Sequence, residues 1–160
     1  MKLLIAGLLV AASVCVAENI KITIPSNMAP AFVLTVPPSA KVTSKSDKTE
    51  IKTPDMTLYI WVIPTAQTVT EGVAQITNVI ASQVVQFVAT TTNTISVAGA
   101  AAQHLVGRAV EADDYDPGTA DVVVFTAGKT VFAACVHGEG NEAVRERKPM
   151  LAVLATAQAP

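Results

Sequence analysis

The sequence predicts a single α+β domain, an antiparallel β-sheet flanked by an amphipathic central helix and a C-terminal helix. Three observations predict it. Short runs rich in Val, Ile and Thr recur from Ile20 to Val136, each bounded by Pro, Gly, Asn or Asp. After Thr68 the apolar spacing changes to three and four residues, and a second such stretch begins at Asn141. Finally, 51% apolar and 15% charged residues over 160 positions give one globular core. A domain of about 150 residues hides roughly 68–70% of the surface of its unfolded chain, so this fold needs neither metal nor disulfide to hold it.

The N-terminus reads as an address. Lys2 precedes the apolar run Leu3–Val10, and Cys15-Val16-Ala17 precedes Glu18, which are the three regions of a secretory signal. The run falls short of the ~20 apolar residues of a spanning helix. Cleavage is expected after Ala17, leaving residues 18–160 as the mature domain, exported to a periplasm or the exterior. Lipidation at Cys15 is disfavoured, because Val14 is β-branched where lipoprotein processing takes a small residue. The mature chain keeps ten basic and thirteen acidic residues and the single cysteine Cys135, so it can form no internal disulfide. No Asn-x-Ser/Thr sequon occurs, which fits a bacterial envelope protein. A net charge of −2 for the full chain excludes a phosphate-tracking surface, and no nucleic-acid partner is expected.

Element by element, Ile20–Ile24 alternates as a half-buried strand and Pro25 ends it. Phe32–Val36 is a second strand, ended by Pro37-Pro38. Residues 39–53 read as two short strands about a turn at Ser44–Lys48, the most exposed part of the sheet. Met56–Ile63 is apolar on both faces and predicts a central strand, with Tyr59 and Trp61 in the core. Thr68-Val69-Thr70-Glu71 is a capping box, and Val73, Ile76, Ile80, Val84 and Phe87 extend the predicted helix behind it. A four-stranded meander follows: Thr91–Ala98, Ala102–Ala112, Ala120–Thr126 and Val131–Val136. Gly99, the acidic turn before Gly118, and Gly128 separate these strands, and Gly138 and Gly140 stop the sheet. The last helix runs from Asn141, with Pro149 kinking it or marking its start.

Chemistry-bearing residues are few. Cys135 and His137 stand two apart on one strand and so share a face, and His104 lies on a neighbouring strand. These three are the candidate metal ligands. No Cys-x-x-Cys or His-Glu-x-x-His accompanies them, so a buried Cys and hydrogen-bonded histidines are favoured over a metal centre. The same pair read as thiol and base lacks polar support, since Ala133-Ala134 precedes Cys135. Glu111, Asp113, Asp114 and Asp116 form an acidic turn whose oxygens suit calcium, but a hairpin tip this short reads first as solvated. Gly138-Glu139-Gly140 reads as a strand stop, and Arg145, Arg147 and Lys148 as the solvated face of the last helix. No serine elbow, phosphate loop or dinucleotide fingerprint occurs.

The order of elements resembles the PsbP-like, or Mog-type, fold. The resemblance rests on Leu58–Val62 before the helix, Val97–Gly107, Val122–Thr126, Val131–Val136 and the last helix over Glu142–Ala157, and it covers most of residues 28–158. It is one of element order and strand texture, without a diagnostic motif. It implies an accessory or partner-binding protein and supplies no catalytic residue. The expectation is therefore an exported, non-enzymatic accessory or binding domain for an envelope protein, with no cofactor and an open oligomeric state. Two alternatives remain: a small metal-binding or thiol-dependent enzyme using His104, Cys135 and His137, and a carrier with an apolar pocket between the first helix and the sheet.

Overall fold

A computed structural model describes residues 18–22, 32–45 and 48–159. Expectations for the leader, for Ile24 with Pro25, and for the tip of the Ser44–Lys48 turn lie outside these residues. Among the described residues nine strands and two helices follow in chain order: β1 (Glu18–Ile22), β2 (Phe32–Val36), β3 (Lys41–Ser44), β4 (Lys48–Thr53), β5 (Met56–Val62), α1 (Val69–Val79), β6 (Val84–Val97), β7 (Ala100–Glu111), β8 (Pro117–Ala127), β9 (Thr130–Glu139) and α2 (Glu142–Leu154). β1 and β2 pair antiparallel as a separate ribbon. The other strands form one antiparallel sheet in the order β3-β4-β5-β9-β8-β7-β6.

The sheet separates two cores. On one face α2 and β2 close over Leu58, Ile60, Val123, Phe125, Phe132, Ala134 and Val136. Phe32 from β2 meets Phe125 and Phe132 edge-on at ring-centroid distances of 5.6 and 5.1 Å. Each such ring, fully buried, contributes about 1.5–3 kcal/mol of transfer free energy. On the other face α1 covers Ile63, Leu105, Val122, Val124, Val131 and Cys135 through Ile76 and Ile80. β8 and β9 lie beneath both layers, so Val122–Phe125 and Val131–Val136 are apolar without alternation and fully buried. Helix α1 sits close to the sheet: a Cβ at Gly72 would come within 2.8 Å of Val124 and 2.9 Å of Val131. At Gly72 the helix and the sheet leave no space for a ligand between them.

Local rules explain most boundaries. Thr68 accepts a hydrogen bond from Glu71 N–H at 3.2 Å, and Glu71 in turn accepts from Gln67 N–H at 2.7 Å, one residue before the usual capping-box partner. The β6–β7 hairpin turns on Ala98 and Gly99, at φ of 52° and 77°, and a two-residue turn of type I′ needs the left-handed region at both positions. Three expectations are corrected. Helix α1 stops at Val79 and does not reach Phe87, because from Val84 the β-branched run enters β6; Val84 and Phe87 still face the same core. Gly138 lies inside β9, where Glu142 crowds its missing side chain, and the strand ends at Gly140, whose φ is 54°. Helix α2 runs from Glu142 with Pro149 inside it, so Pro149 does not start it.

Candidate functional site

The three candidate ligands are divided between the two faces of the sheet. His104 lies opposite Val123 and therefore faces the α2 core, whereas Cys135 and His137 face the other side. On the α2 side, Asp121 is fully buried and Oδ1 accepts from His104 Nε2 at 2.7 Å. Because a carboxylate only accepts, this contact places a proton on Nε2. Arg147 of α2 donates from Nε to Oδ1 at 2.7 Å and from Nη2 to Oδ2 at 3.1 Å. The hydrogen bond to Asp121 raises the Arg147 pKa further. Arg147, expected on a solvated face, is thus a bidentate clamp joining α2 to β8. Sequence reasoning missed Asp121, although one acidic residue inside the apolar run Ala120–Thr126 is a signal of a buried, paired charge.

The opposite face carries a row of rings. His137 stacks on Tyr59 with centroids 5.5 Å apart, and Tyr59 tilts against Trp61 at 5.8 Å. Lys48 Nζ lies 5.0 Å from the Tyr59 centroid. His137 Nδ1 donates to Glu111 Oε1 at 3.1 Å. Trp61 Nε1 and His137 Nε2 are the two buried side-chain polar atoms without a hydrogen-bond partner among the described residues. Burial, followed by the charge of Glu50, pushes the Tyr59 hydroxyl up to about 12. Cys135 beneath this row is fully buried, and its thiol is raised well above the ordinary range by burial, then by Asp121 and Glu146. A thiol so placed has almost no thiolate to offer a metal or a substrate.

At the β7–β8 turn the acidic residues do gather. Glu111, Asp113 and Asp114 each bring an oxygen within 4.8 Å of the others, and Asp114, Asp116 and Glu139 form a second such group. Glu139, from the end of β9, was not part of the sequence expectation. The neighbouring charges of Asp116 and Asp114 raise its pKa. Such all-oxygen sets suit hard cations such as calcium, not zinc. Glu111 leaves the solvated tip, being partly buried against His137.

The sheet ends in two unlike edges. β3 has four residues, begins at Lys41 and is followed by Lys45. β6 has fourteen residues with no charge, proline or glycine, and Val88 to Thr94 are all exposed. It is paired on one side by β7 and on the other by no described strand. A bulge at Thr90 interrupts its register with β7, and from Thr91 to Val97 the pairing is regular. Among the described residues no helix is long and apolar enough to cross a membrane.

Neither a known protein family nor a curated protein matches this sequence. Among solved structures, the chain is similar to cyanobacterial PsbP (CyanoP) from Synechocystis, with a TM-score of 0.56 at 10% identity over 96% of this chain and 98% of that one. The fold is PsbP-like. LpqN of Mycobacterium tuberculosis, described as involved in cell envelope biogenesis, aligns over 89% of this chain and 91% of its own, with a TM-score of 0.49 and 12% identity. In this PsbP-like chain the α+β arrangement is the one that the element order predicts, with helices on opposite faces of an antiparallel sheet.

Proposed function

We propose that this protein is an exported, non-enzymatic accessory domain that works by holding a protein partner. The observation that carries the reading is the open edge of β6. Exposed strand edges invite pairing, and soluble proteins blunt them with short strands, lysines, prolines and bulges. β3 is short and flanked by lysines, whereas β6 lacks lysine and proline over fourteen residues and, past its bulges at Val85 and Thr90, keeps a regular run from Thr91 to Val97. An edge left so long and so uncharged suits β-strand addition, in which main-chain hydrogen bonds supply affinity and alternate side chains supply selectivity. Commitment of the reactive groups to structure also favours this reading: His104 is tied to Asp121, His137 to Glu111, and Cys135 is sealed within the core. For export, the support is the N-terminal pattern of Lys2, Leu3–Val10 and Cys15-Val16-Ala17.

The test places a photoreactive amino acid at Thr92 and irradiates the cells that make the protein. The reading expects an adduct with a different envelope protein, absent when the same group stands at the exposed Thr43 on β3. It also expects an intact mass beginning at Glu18. A full-length, cytoplasmic chain without such an adduct would overturn it.

A further inference from the structure

The edge of β6 also fits a second occupant, which competes with a foreign partner for the same backbone groups, and this step rests on the reading of β6 as an interaction surface. We infer that β6 pairs antiparallel with β6 of a second copy of this chain, joining two seven-stranded sheets into one across a two-fold axis. A symmetric pairing sets each side chain against a residue of the same strand, so any charge along the strand meets like charge nearby. β6 presents none: its regular segment reads Thr-Thr-Asn-Thr-Ile-Ser-Val from Thr91 to Val97. The other edge differs, because a β3 pair would bring Lys41 and Lys45 of each copy toward one another within a strand of four residues.

The segment also sets the register. It is bounded by the bulge at Thr90 and the turn at Ala98-Gly99, and its middle residue is Thr94. An antiparallel pair that uses the whole segment therefore puts Thr94 opposite its own copy, Thr92 opposite Ser96, and Asn93 opposite Ile95. Thr94 and Gln103 on β7 are already hydrogen-bonded at 3.2 Å on the same face as Thr92 and Ser96, so the joined sheets carry a continuous polar ladder there. Cross-strand Thr pairs of this kind stabilise antiparallel sheets. Ile95 and Val97 extend the α2-side core toward the axis. Every second residue of the segment directs its N–H and C=O outward, so the pairing closes backbone groups that β7 does not reach.

The experiment is sedimentation velocity on the mature chain over a concentration series, beside the variants Thr94→Lys, Thr43→Lys and Thr94→Cys; Thr43 is exposed on β3. Wild type and Thr43→Lys are expected to shift from monomer to dimer with concentration. Thr94→Lys, which sets two ammonium groups face to face, is expected to stay monomeric with the melting temperature of dilute, monomeric wild type, since Thr94 is exposed. Thr94→Cys is expected to form a disulfide-linked dimer on mild oxidation, while Cys135 stays reduced. A wild type that is monomeric throughout, or a dimer indifferent to Thr94→Lys, overturns the inference. The two readings fail separately. A monomer that still gives a foreign adduct at Thr92 keeps the accessory role and removes self-pairing, and a dimer whose sole adduct is with itself does the reverse.

Discussion

Replacing Arg147 with Met tests the clamp between α2 and β8. The substitution keeps the aliphatic stem and removes both donors to Asp121, which has no exposed surface of its own. Removing one partner of a buried pair costs about 3–5 kcal/mol, because the remaining charge loses its compensation. Two features move this case to the low end: the Arg147 side chain is 33% exposed, and His104 still donates to Oδ1. The expected loss is about 3 kcal/mol, or a melting temperature lower by roughly 6–12 °C for a chain of this length. Arg147→Lys keeps the charge but not the fork, and is expected to lose about 1–2 kcal/mol. Urea denaturation followed by the fluorescence of Trp61, the one tryptophan, reads both variants. If Arg147→Met stays within about 0.5 kcal/mol of wild type, the contact behaves as an ordinary surface pair and the reasoning is refuted.

Cys135 should resist an aromatic disulfide reagent in native buffer and react only at the rate of global unfolding, since it is buried with a raised pKa; fast stoichiometric labelling would contradict this. Glu146 is raised to about 7, first by burial, against the lowering effect of its bond from Thr57 N–H. Its folded pKa thus lies above the unfolded value, so its contribution is fully present below about pH 4.5 and is lost as pH rises through 7. Glu146→Gln should flatten stability across that window and raise it at pH 8 by roughly 1–2 kcal/mol, less than the full shift because the carboxyl is partly solvated; an unchanged pH profile would reject this. Gly107→Ala puts a Cβ within 2.3 Å of the Val88 carbonyl oxygen, and a loss of about 2–3 kcal/mol in denaturant titrations is the expected outcome. A neutral result there would mean that β6 yields freely at its bulge.

Elements governed by local chemistry could be read directly. The cap at Thr68, the stop after Val36, the turn at Gly99 and the unalternating apolar run of β5 each follow from neighbouring residues. What resisted reading was decided across the sheet. The pattern Ile80, Val84, Phe87 continues a helical face on paper, yet the pairing of Val84 with Glu111 and Phe87 with Ala109 claims those residues for a strand. Spacing put Cys135 and His137 on one face correctly, but the face of His104 depends on its register with Val123, which no local rule fixes. Arg147 looked solvated because its partner lies 26 positions away on another element. The acidic turn was legible as a cluster, while Glu139 joined it through the β8–β9 pairing of Gly118 with Glu139.

The pairing between β5 and β9 is short: Tyr59 to Val62 against Phe132 to Cys135, extended by one bond from Ile63 N–H to Val131. Every other neighbouring pair among the described strands of the large sheet is a hairpin between consecutive strands, so within that sheet this is the one line where distant parts of the chain are sewn together. Helix α2 lies across it. Glu146 grips Thr57 on β5, and the next residue, Arg147, grips Asp121 on β8, beyond β9. Two adjacent side chains of one helix therefore work as a splint over a seam. A force that drew the β3–β5 half from the meander would load those two fastenings together with the few backbone bonds beneath them.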